Sequence, residues 1–224
     1  TAKLRKIFQK NRIFAETLDS RLLFTTHSSY NLTHFLTTQN MSKAYIFLAD
    51  GFEEIEALAP VDLLRRAGVN VSTVSITQQK EVTGAHGVTV AADTVIADTD
   101  ASDVDLLVCP GGMPGAANLA ACEELNRMIR AQHASGRYIA AICAAPAVTL
   151  SPLGILSGKN ATCYPGFEKA LSEAGAIHTA ERVVRDGNII TSNGPSSAIQ
   201  FGLALVEALC GADTAKTVAS GILL

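Results

Sequence analysis

Residues 138–146 have the sequence YIAAICAAP, an apolar run that stops at Cys143 and gives way to small residues and a proline. A run without alternating polar residues predicts a short strand that is covered on both faces. Pro146 suits the first turn of a following helix, where its missing N–H costs nothing. The stretch therefore predicts a nucleophile elbow, with Cys143 at the sharp turn between a buried strand and a helix.

The same alternation of buried strands and helices continues along the chain from Met41. Apolar runs predict strands, stretches closed by glycine predict crossover helices, and two glycine-containing bends predict β-hairpins. The predicted strands are 44–48, 69–75, 106–109 and 138–142, the predicted helices are 53–67, 119–135 and 196–210, and the predicted hairpins are 82–91 and 183–191. Such βαβ units predict an α/β fold with a mainly parallel sheet and a small β-hairpin.

Residues 1–40 differ in composition from the rest of the chain. They contain six Lys or Arg, two Asp or Glu, and no Gly, Pro or Val. We expect them to be a poorly ordered N-terminal extension, either translated sequence upstream of a start at Met41 or an organellar transit peptide. Residues 41–224 are expected to form one domain.

Composition also excludes several classes of function. From residue 41 onward there are 12 basic and 19 acidic residues, a net charge near −7 that argues against a nucleic-acid partner. No apolar run approaches the ~20 residues of a membrane span. The five cysteines are odd in number and form no CxxC motif, so neither a disulfide framework nor a zinc site is expected. A reducing compartment fits best, the cytoplasm or an organelle if residues 1–40 are a transit peptide.

A glycine-rich turn follows the predicted strand 106–109 and has the sequence CPGGMPG, residues 109–115. Glycines there let the main chain pass close to a ligand, and the N–H groups of Gly112 and Ala144 are candidates for an oxyanion hole beside Cys143. Free N–H groups and the helix dipole at the elbow are expected to favour the thiolate. A phosphate-binding loop is the competing interpretation, but GxGxxG and GxxxxGK[ST] are missing from the strand-to-helix junctions. We expect no cofactor and no metal.

Three carboxylates follow the first strand, in GFEEIEALAP at residues 51–60. Glu53 and Glu54 are expected to be solvated at a helix N-terminus, where acids favour the dipole. Glu56 lies among apolar residues, and a carboxyl group turned into a closed cleft would have a raised pKa and donate a hydrogen bond to the sulfur of Cys143. The alternatives are an ordinary solvated glutamate and a buried structural cysteine.

Five segments together resemble the DJ-1/PfpI superfamily, in particular its ThiJ-like branch. They are GFEEIEALAPVDLLRRAG at 51–68, CPGGMPGAANL at 109–119, AAICAAPAVTL at 140–150, TSNGP at 191–195 and FGLALVEAL at 201–209. The resemblance implies a flavodoxin-like three-layer sandwich, a homodimer, and an easily oxidised elbow cysteine held by a glutamic acid, here Cys143 and Glu56. His86 matches a hairpin position where family members have a basic residue that reaches the active site, often across the dimer interface; the alternative is an ordinary turn histidine.

The chain departs from the family pattern at two positions. Ala144 stands where the peptidase-like branch has a histidine directly after the nucleophile, and Tyr164 stands where animal members have one. A Cys-His-Glu triad therefore depends on His86 from the neighbouring subunit.

The resemblance implies an enzyme acting on small reactive carbonyls, a glyoxalase III or protein deglycase, with Cys143, Glu56 and His86 as catalytic residues. Its substrate would be a 2-oxoaldehyde or a glycated compound. The alternative is a redox sensor or stress chaperone without turnover, because the same cysteine and glutamate suit both roles. A cysteine peptidase or amidase is a third hypothesis, weakened by Ala144.

Overall fold

The computed structural model describes residues 41–224, and the expectations for residues 1–40 lie outside the described residues. Eleven strands are defined within this range. They are β1 (Lys43–Leu48), β2 (Asn70–Ser75), β3 (Glu81–Thr83), β4 (Thr89–Ala91), β5 (Thr94–Val95), β6 (Leu106–Cys109), β7 (Tyr138–Ile142), β8 (Asn160–Ala161), β9 (Ile177–His178), β10 (Val183–Asp186) and β11 (Ile189–Ser192). The four predicted strands are confirmed, with bounds that differ by one residue at most.

Seven strands form the central sheet, in the order β10-β11-β7-β6-β1-β2-β5. All neighbours are parallel except β10 and β11, which form the hairpin predicted at 183–191. Strands β3 and β4 form the other predicted hairpin, as a separate two-stranded sheet. A mainly parallel sheet flanked by helices, with a small hairpin, confirms the predicted α/β sandwich.

Six α-helices are defined in the same range. They are α1 (Glu54–Arg66), α2 (Gly115–Ala121), α3 (Glu123–Ala134), α4 (Glu168–Glu173), α5 (Ala198–Cys210) and α6 (Ala212–Gly221). The helices form two packed groups beside the sheet. In one group, α1 packs against α5; in the other, α2 packs against α3 and against the turn after β7. None of these helices combines the length and the apolar composition that a membrane span requires.

The structure corrects two local predictions and adds helices that were not predicted. The helix predicted at 119–135 is two helices, because Cys122 has an extended backbone that separates α2 from α3. The helix expected after the elbow is a short π-helical turn, Pro146–Leu150, that passes into a 3₁₀ turn ending at Gly154. Helices α4 and α6 were not predicted. Pro146 does take the first turn, as its missing N–H suggested.

Burial along the central strands explains their continuous apolar sequence. All four residues of β6 are fully buried, as are the last four of β7, because helices cover both faces. The register pairs Cys109 with Ala141, so β6 and β7 end together at one edge of the sheet. Strand β1, between β2 and β6, is where the connections change direction, and ligands of open α/β sheets bind at the carboxyl edge of such a point.

Candidate active site

Cys143 occupies the sharp turn directly after β7. Its N–H donates to the carbonyl of Ser192 at 2.8 Å, and its own carbonyl accepts from the N–H of Tyr164 at 2.8 Å. Its φ angle is 66°, in the left-handed region that residues other than glycine rarely adopt. Backbone strain of this kind persists only where neighbours fix it, so the two hydrogen bonds hold the thiol in place. The predicted sharp turn is therefore present.

Glu56 lies in the first turn of α1 and is fully buried. Its Oε2 accepts a hydrogen bond from the N–H of Gly111 at 2.9 Å, and its carboxyl group interacts with the thiol of Cys143. Within the described residues, Oε1 has no hydrogen-bond partner of standard geometry. An unpaired buried oxygen costs ~1–3 kcal/mol, which is the kind of cost that functional sites retain. Burial raises the pKa of Glu56 from 4.5 to about 7.

Two glycines bring the turn after β6 against these groups. A Cβ atom on Gly111 would lie 2.6 Å from Cβ of Cys143 and 2.6 Å from Oε2 of Glu56, so there is no space for a side chain. Gly112 has φ of 87°, and a Cβ there would lie 2.4 Å from the carbonyl oxygen of Gly51. The strand register predicts that this turn faces Cys143, but the contact of Gly111 with both functional side chains was missed.

The protonation state of Cys143 differs from the sequence-based expectation. Burial, then the charge of Glu56, raises the pKa of Cys143 to about 12. The backbone N–H groups of Gly112 and Ala144 lower this pKa, as expected of oxyanion-hole donors, but their effect is smaller. The expected thiolate is therefore replaced at neutral pH by a thiol beside a carboxyl group that can accept its proton.

Glu53 and Glu54 are buried, with 7% and 8% of their surface exposed, which corrects the prediction that both are solvated. Glu53 is the N-cap of α1 and its Oε2 accepts the N–H of Glu56 at 2.7 Å. Glu54 lies beneath the β3–β4 hairpin and accepts the N–H of His86 at 2.8 Å. The sequence of α1 alone does not indicate the β3–β4 hairpin that covers its N-terminus, so the burial of these glutamates was missed. The Glu-x-x-Glu spacing at the predicted helix start is the signal that identifies Glu53 as a cap.

His86 pairs with Glu54 rather than with Cys143 of its own chain. Its Nδ1 lies 2.7 Å from Oε2 of Glu54, the imidazole is 71% exposed, and this hydrogen bond raises the pKa of His86. Possible ligand atoms of Glu53, Glu54 and His86 lie within 4.8 Å of one another. Since the helix cap and the Glu54–His86 pair account for these groups, we assign no metal to them.

The geometry has counterparts in known proteins. Residues 42–208 match the model of the DJ-1/PfpI family. The chain belongs to this family. It is 42% identical over 177 residues to Protein DJ-1 homolog A of Arabidopsis thaliana, covering 79% of this chain and 45% of that relative. The chain therefore spans less than half the length of that relative.

Two further family members bear on function. Glutathione-independent glyoxalase DJR-1.2 of Caenorhabditis elegans is 32% identical over 166 residues, covering 74% of this chain and 87% of the relative. The structure of oxidized Toxoplasma gondii DJ-1 superposes with a TM-score of 0.78 at 39% identity, covering 81% of this chain and 98% of that one. The family thus includes a glyoxalase and a member with an oxidised form, and the flavodoxin-like fold agrees with the resemblance.

Proposed function

We propose that this chain is a cysteine-dependent enzyme that converts small 2-oxoaldehydes to 2-hydroxy acids without a cofactor, as a glyoxalase III, with related deglycase action on glycated substrates. The observation that carries the proposal is the buried Glu56 carboxyl beside the Cys143 thiol. With a pKa of about 7, this carboxyl is present in both protonation states near neutral pH. A group that must both accept and donate protons in one cycle works best under that condition.

The reaction begins with addition of the thiol to the aldehyde. The Glu56 carboxylate takes the proton of Cys143 while the sulfur bonds to the aldehyde carbon, and protonated Glu56 returns that proton to the carbonyl oxygen, giving a hemithioacetal. The thiol pKa of about 12 makes this base necessary.

Proton transfer between the two carbons follows. Glu56 removes the proton from the former aldehyde carbon and delivers it to the adjacent carbonyl carbon. The hydroxyl proton of the hemithioacetal passes to the oxygen of the former ketone, which gives a thioester of a 2-hydroxy acid. The unpaired Oε1 of Glu56 is an acceptor available for this step. Water then hydrolyses the thioester and regenerates the Cys143 thiol. The N–H groups of Gly112 and Ala144 would stabilise the developing oxyanion.

The proposal is tested by measuring D-lactate formation from methylglyoxal without glutathione. Cys143→Ser and Glu56→Gln should each abolish turnover, whereas Cys122→Ser, at a partly exposed thiol outside the site, should retain it. No turnover by the reduced wild-type protein would reject the enzyme. The similarity to the glutathione-independent glyoxalase of C. elegans supports this choice of substrate.

A redox sensor or stress chaperone is the second candidate, and the oxidized T. gondii structure favours it. Protonated Glu56 would donate a hydrogen bond to a sulfinate formed on Cys143. A sensor needs one oxidation, whereas an enzyme needs repeated product release. Mass spectrometry of Cys143 after peroxide treatment, alongside the turnover assay, separates the two. A peptidase has less support, because Ala144 stands where the peptidase-like branch has a histidine, and His86 pairs with Glu54 of its own chain.

We also propose a homodimer and a cytoplasmic location, the latter organellar if residues 1–40 are a transit peptide. The large apolar side chains of Ile55 and Leu58 on α1 and of Val88 after the hairpin turn are exposed. Val88 is two residues from His86, and Ile55 follows Glu54, to which His86 is bound. A homodimer that covers this surface would allow His86 to approach the neighbouring site. Analytical ultracentrifugation tests the dimer, with Ile55→Asp expected to shift it toward monomer.

A further inference from the structure

The site contains a second buried carboxylate that the mechanism above does not use. Glu53 is the N-cap of α1, and its Oε2 accepts the backbone N–H of Glu56 at 2.7 Å. Its own N–H donates to the carbonyl of Gly111 at 3.0 Å. Glu53 is therefore fixed at both its side chain and its backbone, against the same two residues that surround Cys143.

This arrangement differs from a capping box in one respect. In a capping box, the glutamate three residues after the N-cap bonds back to the N-cap N–H. Here Glu56 has that position, but the N–H of Glu53 is already occupied by Gly111. The Glu56 side chain is thereby free to turn toward the N–H of Gly111 and the thiol of Cys143. The side chain of Glu53 thus caps the helix, while the side chain of Glu56 takes part in the site instead of the cap.

The cap hydrogen bond also brings a second negative charge to the helix end that carries Glu56. The titratable groups that face Glu56 are the thiol of Cys143, whose side chain interacts with it, and the carboxylate of Glu53. The Gly111 N–H and the thiol favour the charged form of Glu56, whereas burial and the negative charge of Glu53 favour the neutral form. A nearby like charge disfavours ionisation of a carboxyl group.

We infer that Glu53 is a positioning residue for the proposed reaction: it orients Glu56 through the helix cap, and its negative charge at that cap opposes ionisation of Glu56. The inference rests on the proposed function only for its catalytic consequence. The orientation and the charge effect are properties of the folded chain.

The direct test is a pH titration of the Glu56 carboxyl carbon by ¹³C NMR, assigned with Glu56→Gln. Two variants remove the charge of Glu53 but keep an oxygen that can accept the Glu56 N–H: Glu53→Gln and Glu53→Ser, serine being a favoured N-cap. Both should lower the titration midpoint of Glu56 by on the order of one pH unit. Glu54→Gln is the matched control, because Glu54 is equally buried but paired with His86, and it should leave the midpoint in place.

A residue that only caps the helix would leave the midpoint unchanged in both charge-free variants, and that result would overturn the inference. Having two variants keeps the test decisive if one of them folds poorly. In the turnover assay, the acid limb of kcat/KM should move to lower pH by the same amount as the midpoint. If the wild-type protein shows no turnover, the proposed function fails, while the NMR titration still decides the role of Glu53.

Discussion

Replacing Gly111 with alanine should disable the site through one methyl group. The added Cβ would lie 2.6 Å from Cβ of Cys143, 2.6 Å from Oε2 of Glu56 and 3.0 Å from Sγ of Cys143. Ordinary contacts between such atoms begin near 3.4 Å, so the cysteine and the glutamate must separate from the turn by close to 1 Å. The φ angle of Gly111 is not in the left-handed region, so the cost is one of space rather than backbone strain.

The expected magnitude follows from that displacement. Misplacing reacting groups by about 1 Å lowers a rate on the order of 10²-fold, and overpacking a core costs ~1–3 kcal/mol of folding free energy. We therefore expect kcat/KM for methylglyoxal to fall about 100-fold, the alkylation rate of Cys143 by iodoacetamide to change, and the Tm to fall by ~2–12 °C.

Gly221→Ala is the matched control for this substitution. Gly221 lies in α6, has ordinary helical backbone, and has open space where a Cβ would be. Alanine there should leave turnover intact and raise stability by ~0.5–1 kcal/mol. A folded Gly111→Ala protein with wild-type turnover and alkylation would refute the close contact of Gly111 with the cysteine and the glutamate.

Three further predictions concern protonation. The pKa of Glu56 is higher in the folded chain than in the unfolded chain, so the fold loses stability as pH rises from the unfolded pKa through about 7. Glu56→Gln removes this loss. It should raise the unfolding free energy measured with urea by about 3 kcal/mol at pH 8 and have little effect at pH 4. Because Glu54 raises the pKa of His86, the hydrogen-exchange protection factors of 81–91, measured relative to intrinsic rates at each pH, should be highest below pH 6.5 and fall as His86 loses its proton; His86→Ala should remove that change in protection. Cys109, fully buried with a pKa of about 12, should resist iodoacetamide until the protein unfolds.

Strand positions were predictable because each central strand has a continuous apolar sequence and is buried on both faces. Helix boundaries were harder to predict. Nothing in the sequence around Cys122 marks the end of a helix, and only the extended backbone of Cys122 separates α2 from α3. The turn after Cys143 was hard to predict for the same reason. The Ala-Ala-Pro-Ala sequence at 144–147 does not distinguish an α-helix from the π-helical turn that follows. These outcomes depend on packing between helices, which local sequence does not contain.

At the site, sequence could identify Cys143 and Glu56 because both follow buried strands that end at one edge of the sheet. It could not give the burial of Glu53 and Glu54, which depends on a hairpin packed over the helix N-terminus. The sequence also led us to overestimate how readily Cys143 ionises. The N–H groups that favour the thiolate could be inferred from the strand-to-helix pattern, whereas the loss of hydration on burial could not. Burial outweighs those donors at Cys143.

The two candidate functions require opposite protonation states of Glu56. Taking the proton of a thiol with a pKa of about 12 requires the carboxylate, whereas donating a hydrogen bond to an oxidised sulfur requires the acid. A carboxyl with a pKa of about 7 supplies both forms, so the same geometry supports either role. Gly111 contributes to the balance between the two forms of Glu56 in two ways. Its N–H favours the charged form of Glu56. Its carbonyl accepts the N–H of Glu53, whose negative charge favours the neutral form of Glu56. A change at Gly111 or Glu53 should therefore alter the relation between turnover and oxidation without touching the cysteine itself.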